Sequence, residues 1–390
     1  MKPALELAHI LSAHLHEFMA THAVSAHKFS TLKAIEHCRT ARLGGHIDAC
    51  DSCGYLRISY NSCRNRHCPK CQTTNREKWI MQREADLLPV SYFHVVFTLP
   101  HSLNLLCLQY PQELYALLFK TAWSTINSFA NNPKHLGAKT GMISILHTWG
   151  QNLSLHPHLH CIVPGGGISG SGHWKKARST GKYLFPVKAL SKVFRARYVS
   201  LLRSFLSANK AQVDNGLWKE LFAKDWVVYC KRPFLGPAQV IEYLGRYTHK
   251  VAISNHRLQS IEDGKVSFAY KDYRQEAAKK TMSLEATEFI RRFSLHILPP
   301  KFVRIRHYGI LSSKAKAHDL ALARQDLRVA TPEKRVSDWK SICKERLGYD
   351  IDLCPCCSKG RMREILRFEA ARSPPDRAYL LSIALHLKTA

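Results

Sequence analysis

The chain has 390 residues, with 58 Lys and Arg against 29 Asp and Glu, a formal net charge of +29. A hydrophobic share of 45% is enough to bury a core, which excludes a disordered tail protein. A positive surplus of this size favours a polyanionic partner over a neutral one, because each neutralised phosphate releases condensed counterions; the bland counter-reading is a merely soluble basic protein or a ribosome-associated one.

Residues 1–36 read as amphipathic helix. Lys2, Glu6, His9, His14, His16 and Glu17 interrupt the opening twenty residues, so they lack the unbroken apolar stretch of a signal peptide. No apolar run in the chain approaches the length of a bilayer span. A cytoplasmic, nucleoid-associated protein is expected, with no membrane partner. In such a reducing compartment the thirteen cysteines point to metal rather than to disulfides.

Residues 37–75 change character, with Cys, His, Gly and Arg dominating. Cys50-x-x-Cys53 and Cys68-x-x-Cys71 are knuckles whose tight turns each aim two thiolates at one tetrahedral centre, so these four predict one zinc site. Cys38, His46, Cys63 and His67 are left over and would form a second. Alternatively Cys38 and His46 pack and His67 touches nucleic acid. Either zinc would be structural, standing in for a core that so short a segment cannot build. Arg64, Arg66 and Lys70 decorate this module as expected phosphate contacts.

Residues 76–88 return to a helical pattern. The β-rich stretch His94–Leu99 stops at Pro100. Helix is expected over 111–130, strands over Met142–Trp149 and His158–Val163, helices over about 187–208 and 215–224, a strand over Trp226–Cys230, and a helix from Pro237 to about Lys250. Leu258–Ile261 and Lys265–Tyr270 flank Glu262-Asp263-Gly264, a hairpin signal. This mixture predicts an α+β domain. Beyond Pro300 the chain is basic and mainly helical by pattern. Near its end, Cys354-x-x-Cys357, with Cys343, offers at most part of another metal site.

Two stretches carry chemistry. His156-Pro157-His158-Leu159-His160 lies on a strand, where residues two apart share a face, so His158 and His160 present imidazoles side by side while Leu159 enters the core. Tyr243 and Tyr247 stand four apart on the helix, one turn apart on one face; Arg246 and Lys250 beside them are further expected DNA contacts. A phenol with a pKa of about 10 is a poor nucleophile at neutral pH. A divalent ion held by imidazoles can polarise a phosphate and stabilise charge in the transition state. No phosphate-cradling P-loop is present, so no nucleotide cofactor is called for.

These residues together resemble the two-tyrosine rolling-circle transposases of bacterial insertion sequences, the insertion-sequence-91 type, within the class named for a histidine–hydrophobic–histidine (HUH) motif. Here that motif is His158-Leu159-His160, the paired tyrosines are Tyr243 and Tyr247, and Asn61–Cys71 is similar to the family's N-terminal zinc domain; the resemblance spans about 37–300. It implies an HUH-type antiparallel sheet flanked by helices, with a zinc-binding domain 37–75 and a catalytic domain 76–300; pattern and charge add a helical segment 1–36 before them and a basic C-terminal region 301–390 after them. It implies cleavage and strand transfer of single-stranded DNA at transposon ends through 5′-phosphotyrosine, with Mg²⁺ or Mn²⁺ on His158, His160 and a third ligand. His156 is favoured for that place over Gln151 and His249. The alternatives are an HUH replication initiator or relaxase, and a non-enzymatic zinc-dependent DNA-binding protein.

Overall fold

The computed structural model describes residues 5–178, 184–230, 239, 240, 243, 245, 248–273, 275–332, 338–371 and 376–389, the last four as backbone. It is an α+β protein with antiparallel sheets. In chain order come α1 (Leu7–Thr21), α2 (Ala26–Glu36), β1 (Gly45–Cys50), β2 (Leu56–Tyr60), α3 (Gln72–Glu84), β3 (Tyr92–Thr98), α4 (Asn104–Gln109), α5 (Pro111–Asn131), β4 (Gly141–Trp149), β5 (Leu155–Pro164), β6 (Gly166–Ile168), β7 (Trp174–Lys176), α6 (Val187–Ala208), α7 (Asn215–Ala223) and β8 (Val228–Cys230). After them follow β9 (Leu258–Glu262), β10 (Lys265–Asp272), β11 (Ala278–Glu285), β12 (Ile305–Gly309) and β13 (Met362–Phe368), with helices at Ala286–Ser294, Lys316–Asp326, Trp339–Leu347 and Arg377–Thr389. The residues described between 239 and 248 are also helical.

The chain divides into two compact units, each drawn from separated segments. One comprises 80–248 and 298–335, the other 1–79, 249–297 and 336–390. Two expectations differ from this. The stretch 249–297 groups with the N-terminal module rather than with the sheet domain. The C-terminal ninety residues are shared between both units, and they contribute β12 and β13 as well as helices. A strand at a sheet edge has no periodicity of its own to announce its partner, so sequence pattern leaves such pairings open.

The first unit is built on a five-stranded sheet of order β12-β4-β5-β3-β8. Its two faces follow from strand alternation. Val95 and Phe97 of β3, Leu146 of β4, and Leu159 and Cys161 of β5 point into one large core with Leu118, Phe119 and Ala122 of α5 and Phe194, Tyr198 and Leu202 of α6. Pro111 opens α5 at a position whose missing N–H costs nothing. The Tyr198 hydroxyl crosses between the two helices to the carbonyl of Leu114, at 3.2 Å. The opposite sheet face carries the alternate residues, among them His94, His147, His158 and His160 beside the apolar Val96, Ile143, Ile145 and Ile162.

In the second unit β13, β1 and β2 form a three-stranded sheet, with β1 central. Leu380 and Ala384 of the last helix cover Ile47 at its centre, flanked by Leu56, Ile58 and Leu366. Strands β9, β10 and β11 form a separate meander. The helix Ala286–Ser294 buries Phe289, Ile290 and Phe293 on one face, and packs on the meander and on α1.

Candidate active site and thiol clusters

The pairing register assembles the histidine face. His158 of β5 lies opposite His147 of β4 on one side and Thr98 of β3 on the other. His147, His158 and His160 each offer a ring nitrogen, and the three lie within 4.8 Å of one another. The Nε2 atoms of His158 and His160 are 3.2 Å apart. His158 Nδ1 sits 2.7 Å from the carbonyl oxygen of His156, so Nδ1 carries the proton and Nε2 of the neutral ring keeps its lone pair for a ligand. His147 is buried, its ring stacked on Trp149 at 4.5 Å between centroids.

A second layer stands behind this trio. His94, on β3, is 3% exposed, and its Nε2 lies 2.9 Å from Nδ1 of His160. Its Nδ1 lies 2.8 Å from the hydroxyl of Tyr243, which is itself buried. The same hydroxyl lies 2.9 Å from His94 Nε2, so His94 contacts both the phenol and a candidate ligand, and the His160 Nε2 is left facing His158. Gly245, two residues on, comes so close to Ile80 that a Cβ would meet its Cδ1 at 2.8 Å, so the absence of a side chain lets this helix approach.

The expected third ligand is corrected. His156 shares the sheet face with His158, their ring centroids 5.1 Å apart, but it is exposed at the strand end and outside the convergent group. His147 stands in the convergent group instead, because the β4–β5 hairpin sets it directly across from His158. Gln151 lies in the connecting turn. His249 belongs to the other unit, its ring edge-on to Trp79 at 6.4 Å. Tyr247 and Arg246 fall outside the described residues.

The predicted zinc pairings are also corrected. The sulfurs of Cys38, Cys63, Cys68 and Cys71 form one group and those of Cys50, Cys53, Cys354 and Cys357 another. The reason is the β1–β2 hairpin. Its open end brings Cys38 beside Cys63, while its turn carries Cys50 and Cys53 a strand length away, about 17 Å at ~3.4 Å per residue. His46 faces Asp48 at 3.6 Å, and buried His67 donates its backbone N–H to Asn65; neither joins a cluster. Cys343 reaches the Tyr349 hydroxyl at 3.2 Å instead of Cys354.

The first thiol group suits zinc. Cys71 lies 3.4 Å from Cys38 and 3.7 Å from Cys63, close to the ~3.8 Å edge of a tetrahedron with Zn–S bonds of about 2.3 Å, and well beyond the ~2.05 Å of a disulfide. Mutual sulfur contacts pull the Cys38 and Cys71 thiols down and push those of Cys63 and Cys68 up.

Among the expected DNA contacts, Lys70 pairs with Glu6 at 2.7 Å, Arg66 is half-buried, and Lys250 is exposed. Arg64 is exposed and lines a cavity of about 1240 Å³ with Arg39, Arg57, Trp339 and Tyr349. Trp339 and Tyr349 are each about half exposed there. No helix among the described residues is long and apolar enough to cross a membrane.

Comparison with known proteins agrees with this arrangement. Residues 10–99, which include His94, match a family described as "Transposase zinc-binding domain", and residues 141–318, which include His147, His158, His160 and Tyr243, match one described as "Putative transposase". The chain is 43% identical over 387 residues to "Putative transposase y4qJ" of Sinorhizobium fredii, covering 95% of this chain and 97% of that one. It is 28% identical over 313 residues to "Transposase for insertion sequence element IS801" of Pseudomonas savastanoi pv. phaseolicola, covering 76% and 73%. No solved structure matches. Fold, thiol clusters and matches define a DNA transposase with a zinc-binding domain. The chain belongs to the insertion-sequence-91 family of transposases.

Two residues of the histidine face escaped the sequence reading. His147 and His94 stand on strands that were recognised, but only the register across β5 shows that both face His158 and His160.

Proposed function

We propose that this transposase cleaves and rejoins single-stranded DNA at the ends of its element by rolling-circle chemistry, with Tyr243 as a nucleophile. The observation that carries the reading is the buried Tyr243 hydroxyl, 2.8 Å from His94 and one imidazole removed from the convergent trio His147, His158 and His160.

The trio would hold a divalent ion. Three neutral imidazoles without a carboxylate suit Mn²⁺ better than Mg²⁺, which prefers oxygen ligands. When bound, the ion supplies Lewis-acid polarisation of a phosphate oxygen. The protein's own groups do the rest. His94 fixes the phenol, and the sheet face fixes the imidazoles, so the reacting groups are positioned before DNA arrives. The phenolic oxygen attacks phosphorus as its proton is lost. The bond from phosphorus to the 3′ oxygen breaks, and that oxygen takes a proton to become a free hydroxyl. The 5′-phosphate stays esterified to tyrosine, and attack by another 3′ hydroxyl reverses the step and joins strands. Tyr247, four residues on, is proposed for the second cleavage. The surplus of positive charge, with Arg39 and Arg64 beside the exposed rings of Trp339 and Tyr349, supplies backbone attraction and stacking faces suited to a single strand.

The test is incubation of the full chain with a labelled single-stranded oligonucleotide of the element's end and Mn²⁺ or Mg²⁺, followed by mapping of the adduct by mass spectrometry. A covalent adduct on Tyr243 or Tyr247, absent from Y243F/Y247F, is expected. An adduct that survives in the double variant overturns the tyrosine assignment. DNA binding without any adduct on a cognate end favours the non-enzymatic alternative.

A further inference from the structure

We infer that Cys50, Cys53, Cys354 and Cys357 hold a second structural zinc, closing a zinc ribbon whose two halves come from opposite ends of the chain. The matched zinc-binding domain ends at residue 99, so it contains only half of this ligand set.

The four sulfurs lie within 4.8 Å of one another. Cys50 is 3.7 Å from Cys357, and Cys53 is 3.7 Å from Cys354, near the ~3.8 Å tetrahedral edge and too far for a disulfide. Backbone amides converge on the sulfurs. Those of Ser52 and Cys53 donate to Cys50 at 3.4 Å, that of Cys356 donates to Cys354 at 3.4 Å, and that of Gly360 donates to Cys357 at 3.3 Å. Such N–H groups compensate negative charge on thiolates, a task without purpose in a cluster of neutral thiols.

The backbone carries the two knuckles as a matched pair. Cys50 ends β1, and Cys354-Pro-Cys-Cys357 turns directly into β13, which pairs antiparallel with β1 from Cys50↔Met362 to Gly45↔Phe368. Asp51 and Arg361 lock the junction, each donating its backbone N–H to the other residue, at 3.0 and 2.7 Å. Gly360 has no room for a side chain, since a Cβ there would meet the Cys50 sulfur at 2.4 Å and Ser52 Cβ at 2.5 Å. The apolar group at this end of the sheet is only Cys50, Cys354 and Met362, with Cys357 beside them. A cluster that small gives this end of the sheet little packing, and a metal would add there to what the β1–β13 pairing and the Ile47 cluster supply along the rest of the strand.

The test needs no DNA. Zinc is counted by elemental analysis on the purified full chain, and two per chain are expected. C354S/C357S should retain one. A wild type with one zinc, or a variant that keeps two, overturns the site. In parallel, wild-type chain is alkylated in its native state and each cysteine is read by mass spectrometry, which requires no variant to fold. Cys356 is exposed and outside the set, so it serves as the internal reference. Cys354 and Cys357 should be protected relative to Cys356 by at least tenfold, together with Cys50 and Cys53, and all four should become reactive at once when a chelator is added. Modification of Cys354 and Cys357 at the Cys356 rate refutes the site.

Discussion

Replacing His94 with Leu tests whether the second layer behind the histidine trio governs both the metal and the phenol. The substitution keeps an apolar body of similar reach in a site that is 3% exposed, and removes the contacts to His160 and Tyr243 at 2.9 and 2.8 Å. Each hydrogen bond is worth about 1 kcal/mol net, so the pair contributes about 2 kcal/mol to folding stability. Loss of the His160 contact alone bears on the metal, and removing such an outer partner of a metal-binding histidine usually costs ~10–100-fold in affinity. Calorimetric titration of the full chain with Mn²⁺ should show this weakening in H94L. The Mn²⁺ needed for half-maximal adduct formation should rise in step, and urea unfolding of the metal-free chain should show a loss of about 2 kcal/mol. H94Q, whose amide can restore one of the two bonds, should recover part of the loss. Unchanged Mn²⁺ affinity in H94L, with wild-type adduct yield, would refute the reasoning and reduce His94 to a packing residue.

Three further outcomes are expected. H158A/H160A should abolish metal-dependent cleavage while leaving binding to single-stranded DNA within about twofold, read by gel shift and adduct formation; retained cleavage moves the ion elsewhere. His307 on β12 is pushed down to about 4 from 6.5, by burial first and by Arg83 next, against the opposing pull of Asp86. Because its folded pKa is depressed, its contribution to stability is present above pH 6.5 and lost as pH falls toward 4; at about 1.4 kcal/mol per unit, acidification from pH 7 to 5 should cost about 2 kcal/mol. Urea unfolding at the two pH values, with H307Q lacking this part of the slope, checks it. G360A should lose zinc from the cross-terminal cluster, counted as a fall from two ions toward one, since the added methyl has only the Cys50 sulfur and Ser52 to occupy.

Local signals were readable in the sequence and long-range register was not. The His-x-His strand announced itself through period two, the helices through their apolar faces, and the hairpin at Glu262–Gly264 through its turn residues. The α+β class and the family followed from these. His147 and His94 were not legible as site residues, because a strand's pattern shows which face a residue occupies and not which residue it meets across the sheet. The thiols show the same limit. Interleaved spacing paired Cys50 and Cys53 with Cys68 and Cys71. Once Leu56–Tyr60 folds back on Gly45–Cys50, those two knuckles sit at opposite ends of one hairpin. Their true neighbours lie either at the other side of the hairpin mouth or, for Cys50 and Cys53, at the far end of the chain.

That distant pairing sets a clock on biogenesis. β1 is the middle strand of its sheet, yet Cys357 is polymerised 307 residues after Cys50. At ~5–20 residues per second, the nascent protein spends roughly 15–60 s with one flank of β1 bare and two thiols unmatched. An open strand edge is a template for stray pairing, so the interval exposes the chain to aggregation and to quality control. A reading frame broken anywhere before Cys354 never leaves that state. Such a chain keeps β2 on one side of β1 and lacks its β13 partner on the other.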